Sequence, residues 1–349
     1  MNQRKKVVLV GAGRMGRNHL RVLRELPELF EVVAVVDPVA TAPAGVGIPF
    51  VKTLADVKGK DFDAAVVATP TALHFDVASE LIEMKKHLLI EKPVASTYSQ
   101  ARQLIEAARE AKLLLAVGHV ERFNPAVRKL REIIREGWLG TAIHFSFTRV
   151  GGYPETLIQG NNVLLDLAVH DIDVLRSLVG QLRLEASMCH STWREGVYDT
   201  AEIFLRAAKG PSASVHVNWI TPTKIRSIRV TGTRGVCFVD YIMQTCELFG
   251  GNLLKQLEPT SSSFDSLQVL YKTSDKIAFG VHKEEPLRAQ AVQFHGLLNG
   301  GESGELCMDR DALAAVLLTE RAVLDGQART RSPSIVPGDA LPREQDEWV

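Results

Sequence analysis

The chain has 349 residues, too many for one ordinary core, so two domains are expected. Lys plus Arg and Asp plus Glu both number 41, and this zero formal charge argues against a nucleic-acid or membrane partner held by bulk electrostatics. Only four apolar residues separate Arg4-Lys5-Lys6 from Gly11, and Cys189, Cys237, Cys246 and Cys307 are scattered without ligand spacing, so a cytoplasmic protein with reduced thiols, no membrane span and no metal is expected.

Val7 to Val10 reads as a short buried strand, followed by Gly11-Ala12-Gly13-Arg14-Met15-Gly16 and a helix from Arg17 to Leu26. The spacing G-x-G-x-x-G between a strand and a helix lets a pyrophosphate rest on the helix N-terminus. Gly11 allows the tight turn, Gly13 clears the phosphates and Gly16 lets helix and strand pack closely. The second strand, Val32 to Val36, ends in Asp37, 21 positions after Gly16, where a carboxylate can accept hydrogen bonds from a ribose and repel a 2′-phosphate. No arginine follows in Pro38-Val39-Ala40-Thr41, so NAD is favoured over NADP. The competing reading is an ordinary strand–helix–strand unit with a glycine turn.

A Pro/Gly-rich loop spans Pro43 to Pro49, and strands and helices then alternate to Val117, predicting a doubly wound, mostly parallel α/β domain over residues 1–120. Thr69, Glu91-Lys92-Pro93 and Gly118-His119 fall at the carboxyl ends of its strands, where ligands bind in such sheets. Residues 121–330 read as an α+β domain with a large open, mainly antiparallel sheet. Its strands are Ile143–Val150, Leu182–Trp193, Ala201–Ala207, Ser212–Trp219, Ile225–Gly232, Gly235–Asp240 and Thr245–Phe249, with helices near Asn162–Val179, Pro286–Asn299 and Arg310–Gln327. Residues 331–349 read as a loosely ordered tail, and a bare sheet of this size needs a cover, so a homodimer or homotetramer is expected.

Lys92 at a strand end can polarise a substrate hydroxyl and stabilise the alkoxide that develops; the alternative is a solvated surface lysine. In the apolar helix from Asn162, residues Asp166, His170 and Asp173 fall at i, i+4 and i+7 and share one stripe. A histidine beside a carboxylate is the arrangement of a general base, though a structural pair or a narrow wet face gives the same pattern. Gly118-His119-Val120-Glu121-Arg122-Phe123-Asn124-Pro125 gathers polar groups at the domain junction; Arg122 suits an anion, whereas Asn124 is explained by helix capping alone. Arg149 and Tyr153 are weaker candidates for substrate contact, and His74 lies where the nicotinamide half of a dinucleotide would pass.

Taken together, the glycine loop, Glu91-Lys92-Pro93 and Gly160-Asn161-Asn162-Val163-Leu164-Leu165-Asp166-Leu167-Ala168-Val169-His170-Asp171-Ile172-Asp173 resemble the Gfo/Idh/MocA family of NAD(P)-dependent sugar and polyol oxidoreductases over residues 5–330. Asn161, Asn162 and Ala168 stand where that family usually has glycine. The resemblance implies a Rossmann domain with Gly11, Gly13, Arg14, Met15, Gly16, Asp37, Thr69, His74, Glu91 and Lys92 at the cofactor. It implies that Lys92 and His170 flank the reacting hydroxyl and that Asp166 supports them, with Lys92 or His170 as proton acceptor. Substrate contacts are expected from Lys92, Arg122, Asn124, Arg149, Asp166 and His170. Within the family, Val117–Pro125 and Leu165–Asp173 are most similar to UDP-N-acetylglucosamine 3-dehydrogenases, whose keto product goes to an aminotransferase for amino-sugar and envelope glycolipid synthesis such as lipid A. That similarity implies a UDP-sugar as small-molecule substrate and Arg122 or Arg149 at its diphosphate. A UDP-N-acetylglucosaminuronate 3-dehydrogenase, an inositol or free-sugar dehydrogenase, and a non-catalytic NAD sensor are the alternatives.

Overall fold

The computed structural model describes residues 3–42, 47–152, 162–208, 210–250 and 275–330. The expected tail at 331–349, part of the Pro43–Pro49 loop and the candidate Tyr153 lie outside the described residues.

The first sheet has seven strands in the order β15-β6-β5-β4-β1-β2-β3. They are β1 Lys5–Val10, β2 Phe30–Val36, β3 Phe50–Val51, β4 Ala64–Val67, β5 His87–Glu91, β6 Leu115–Gly118 and β15 Cys307–Met308. All neighbours run parallel except β15, which is antiparallel to β6. The central strands are apolar at successive positions because both faces are covered: Val8 and Val10 join one core cluster, Val7 and Leu9 another. Helices α1 (Arg14–Arg24), α2 (His74–Glu83) and α3 (Tyr98–Glu110) connect these strands. Strand order reverses between β1 and β4, and this crevice is where a doubly wound sheet binds ligands.

The second sheet has eight strands, β14-β13-β12-β11-β7-β10-β9-β8. These are β7 Ala142–Val150, β8 Leu182–His190, β9 Thr200–Ala207, β10 Ser212–Asn218, β11 Ile225–Gly232, β12 Gly235–Asp240, β13 Thr245–Gly250 and β14 Asp275–Phe279. All pairs are antiparallel except β10 with β7. Alternation places Phe145, Phe147, Val215, Val217, Ile228 and Val230 on one face, packed against helices α4 (Pro125–Arg135) and α5 (Val169–Val179). The opposite face leaves Met188, Phe204 and Phe238 exposed. Among the described residues no helix is long and apolar enough to cross a membrane.

Two features depart from the sequence reading. The chain returns from the second sheet to the first: α6 (Pro286–Leu298) buries Leu287, Phe294 and Leu297 in a core shared with β1, and β15 extends the first sheet. A division at 120 with everything to 330 in the second domain therefore does not hold, because an edge of the first sheet and one of its covering layers come from residues 286–308. Helix α7 (Asp309–Thr330) then packs against α3, α5 and β8, joining the two parts. The helix expected over Asn162–Val179 is also not uniform, for it opens with a π turn at Leu164–Ala168 before α5.

Candidate active site

The glycine loop fits a dinucleotide. Gly11 has φ +94°, and a Cβ there would stand 2.6 Å from the Ala68 carbonyl oxygen on the neighbouring strand end. A Cβ on Gly16 would lie 1.9 Å from Gly11 O, so helix and loop touch backbone to backbone. Gly13 is different: a Cβ would meet nothing within 4 Å, which leaves open space above the loop. Gly13 is also the N-cap of α1 and supplies no side-chain cap, so the first-turn N–H groups of Arg14, Met15 and Gly16 point outward for an anion. Asp37 accepts from Ala12 N at 2.7 Å, Ala40 N at 2.7 Å and Val39 N at 2.9 Å. Burial pushes its carboxyl up, but these backbone donors outweigh burial and hold it below the usual range, ionised and with acceptor capacity to spare. Thr69 Oγ1 is buried without a partner among the described residues.

Lys92 follows β5 and reaches across to the second part of the chain. Its Nζ donates to the Asp166 carbonyl oxygen at 2.7 Å and to Asp166 Oδ1 at 3.2 Å. Trp219, fully buried after β10, donates from Nε1 to Asp166 Oδ2 at 3.1 Å. Burial pushes the Asp166 carboxyl up, yet the Lys92 charge and these hydrogen bonds hold it below its ordinary value. Trp219 was not singled out by sequence; its only signal is its place at the end of an alternating strand.

The π turn separates the roles of Asp166 and His170. Asn162 accepts from Leu164 N and Leu165 N at 3.0 Å each and so starts the turn. The wider i to i+5 spiral gives the Asp166 carboxylate to Lys92 and Trp219. His170 receives no carboxylate, and its Nδ1 is buried without a hydrogen-bond partner among the described residues. Burial, then the charges of Lys92 and Arg149, push its imidazole well below the ordinary histidine value. The expected carboxylate-oriented histidine is thus corrected: Asp166 orients the lysine, and among the described residues no carboxylate orients the neutral ring. The expected stripe also breaks at Asp173, which is fully buried and faces Arg122.

Arg122 and Arg149 were expected at a substrate diphosphate, and the fold commits both elsewhere. Arg122 is 4% exposed and donates from Nε and Nη2 to both oxygens of Asp173, each at 2.7 Å. Arg149, also 4% exposed, holds both oxygens of Asp171 at 3.0 and 2.9 Å and Glu121 at 2.9 Å. Two desolvated guanidiniums facing two desolvated carboxylates satisfy each other and leave little for a ligand. Asn124 caps α4 by accepting from Ala126 N at 3.1 Å and donates to the Tyr241 carbonyl at 3.0 Å, so it too is structural. His119, Asp173 and Cys307 bring possible ligand atoms within 4.8 Å of one another, but Arg122 already occupies both Asp173 oxygens, so the cluster is an ion-pair site.

Two cofactor candidates lie beneath the cleft instead of lining it. Glu91 is 7% exposed and accepts from His19 Nε2 at 2.7 Å. Burial pushes its carboxyl up, while His19 and Lys92 hold it below the usual range. The His74 ring lies between the carbonyl oxygens of Pro93, 2.8 Å from Nδ1, and Thr69, 2.9 Å from Nε2, and as a neutral ring donates to one of them. A histidine facing inward from α1, three residues after Gly16, was the available signal for His19.

Residues 5–119 match the model of an oxidoreductase family with an NAD-binding Rossmann fold, and residues 127–237 match the GFO/IDH/MocA C-terminal domain. The rhizopine catabolism protein MocA of Rhizobium meliloti is 34% identical over 180 residues, covering 50% of this chain and 56% of that protein. The chain likewise spans 65% of the levoglucosan dehydrogenase of Pseudarthrobacter phenanthrenivorans, at 27% identity over 254 residues and 64% of this chain. The UDP-N-acetylglucosamine 3-dehydrogenase of Acidithiobacillus ferrooxidans is 26% identical over 248 residues, covering 69% of this chain and 75% of that protein. A solved structure of that dehydrogenase superposes with a TM-score of 0.77 at 20% identity over 93% of this chain and 99% of the other, which establishes the shared fold.

Proposed function

Because the chain belongs to the Gfo/Idh/MocA oxidoreductase family and carries its NAD-binding Rossmann domain, we propose that it uses NAD to oxidise the 3-hydroxyl of UDP-N-acetylglucosamine to a 3-keto sugar nucleotide. The observation that carries the chemistry is an ammonium, Lys92, tethered by Asp166, whose charge acts on the half-buried imidazole of His170 and helps to keep it neutral. Lys92 has three donors and Asp166 takes two, so one N–H remains for the substrate oxygen, where it stabilises the developing alkoxide. His170, held neutral by burial and neighbouring cations, accepts the hydroxyl proton as the carbonyl forms. Asp166 and Trp219 fix the lysine and keep this geometry ready. When bound at the glycine loop, NAD supplies the acceptor for the hydride that leaves the same carbon. Asp37 selects against a 2′-phosphate. The sugar-nucleotide assignment is supported by the Acidithiobacillus relative, which aligns over more of this chain than the rhizopine protein does.

NADH absorbance with UDP-N-acetylglucosamine, UDP-N-acetylglucosaminuronate, myo-inositol and glucose tests the reading. A pyridoxal-phosphate aminotransferase with glutamate, the consumer proposed for the keto product, pulls the uphill oxidation forward. Turnover with UDP-N-acetylglucosamine is expected, and Lys92→Ala or His170→Ala should lower it about 10³-fold with NAD affinity retained. Turnover with inositol or glucose alone discards the sugar nucleotide; activity that survives both substitutions discards the site.

A further inference from the structure

With Arg122 and Arg149 neutralised, the anionic part of a sugar nucleotide needs another receptor. Three strand ends meet on the side of the second sheet that holds Asp166: the ends of β7 and β10 and the start of β11. Gly151 N donates to Asn218 O at 2.9 Å, and the next residue, Trp219, reaches Asp166. Arg226 pairs in register with Arg149, whose guanidinium holds Asp171, the neighbour of His170. Since Ile228 and Val230 face the core, period-two alternation places Lys224 and Arg226 on that same side, at its open end.

Among the described residues Arg226, half-buried, donates only to carbonyl oxygens: Val150, Gly151 at 2.9 Å and Ile225 at 3.0 Å. A guanidinium has five N–H donors, so two remain. The carboxylates nearest in the fold, Asp171 and Glu121, are spent on Arg149, and among the described residues no carboxylate forms an ion pair with Arg226 or Lys224. A Cβ on Gly152 would stand 3.0 Å from Lys224 Cε, 3.7 Å from Arg226 Nη2 and 3.8 Å from Lys224 Nζ, so two cations converge beside one glycine. Burial and the Arg149 charge hold the Arg226 pKa below the ordinary arginine value, while Asp171, Glu121 and Asp166 pull it the other way. A cation kept out of water without a carboxylate is costly unless a ligand supplies the anion.

We propose that Lys224 and Arg226 form the subsite that receives the diphosphate of the substrate, with the planar Arg226 fork as the principal contact and Lys224 as a mobile second charge. This rests on the sugar-nucleotide reading and gives that reading its anion receptor. A carboxylate on an uncapped sugar acid offers the same oxyanion chemistry, so the test carries both.

Calorimetric titration of the full chain saturated with NAD, using UDP and glucuronate as probes at low and high salt, decides it. UDP is expected to bind more tightly than glucuronate and to weaken with salt. Arg226→Gln should weaken UDP about tenfold or more and Arg226→Lys by less, because the charge stays and the fork is lost. Lys224 is exposed, so Lys224→Ala folds normally and should weaken UDP about threefold. NAD affinity should stay unchanged in all three. Unchanged UDP affinity in both Arg226→Gln and Lys224→Ala overturns the subsite, as does a loss that falls on NAD, or a parent protein that binds neither probe. Tighter binding of glucuronate than of UDP overturns the diphosphate assignment. UDP bound through Arg226 by a protein that turns over only uncharged polyols supports the subsite and discards the substrate.

Discussion

The ends of the two sheets contribute to one site and use charge in opposite ways. On the first sheet, charge sits at strand ends, where the local pattern of strand and turn places it: Asp37 follows β2 and Lys92 follows β5. Around the second, the role of each charge is decided by the partner that the fold brings to it. Arg149 meets Asp171, Arg122 meets Asp173, and Arg226 among the described residues meets only carbonyl oxygens. An arginine near an active site is therefore not a ligand group by its type or place; it becomes one when the fold withholds its counter-ion.

The strongest way to break this comparison is to remove a paired arginine. Arg149→Met leaves Asp171 fully buried without its cation and should destabilise the fold by about 3–5 kcal/mol. Arg149→Met with Asp171→Leu should recover most of that loss, since a buried ion pair is often replaceable by apolar groups. Arg226→Gln should cost little stability. Urea midpoints of the four proteins check this, and equal losses for Arg149→Met and Arg226→Gln would erase the distinction between them.

A smaller effect is expected on the first sheet. Asp37→Asn keeps an acceptor oxygen and removes the charge that repels a 2′-phosphate, so the preference for NAD over NADP should narrow about tenfold. Fluorescence titrations with both cofactors measure the ratio. An unchanged ratio would show that selectivity lies outside the Asp37 carboxylate.

This difference also explains what was legible in the chain. The glycine loop, Asp37 and Lys92 were readable because strand, turn and ligand chemistry lie within a few residues of each other. The strands of the second sheet were readable from alternation, for β11 and β12 begin and end as expected at Ile225–Gly232 and Gly235–Asp240. The short strand β15 was not, since Cys307–Met308 has no pattern of its own and is a strand only because β6 offers a free edge. Periodicity also assumes one kind of helix, and the π turn at Leu164–Ala168 sent Asp166 to Lys92. The fates of Arg122, Arg149 and Arg226 were hidden for the same reason: each depends on which carboxylate the tertiary fold delivers.

The finest probe of the comparison is the titration of His170, which borders both regions. Burial lowers its pKa first, followed by Lys92 and Arg149, with Arg226 a lesser contributor. The native ring therefore stays neutral below the unperturbed value of 6.5, and the acid limb of kcat/KM for oxidation should fall below that pH. The sign for variants follows: removing a cation makes protonation easier and raises the pKa. Lys92→Met should move the His170 resonance to a higher midpoint by NMR titration, and Arg226→Gln should move it in the same direction by less. The unfolded chain binds this proton near 6.5 while the native chain does not, so His170 also withdraws stability as pH falls through 6.5. His74 and His119, lowered chiefly by burial, act in the same direction. A His170 midpoint that rises with neither substitution would mean that burial alone keeps the ring neutral, and that the cations at the ends of the two sheets act on the substrate without tuning the base.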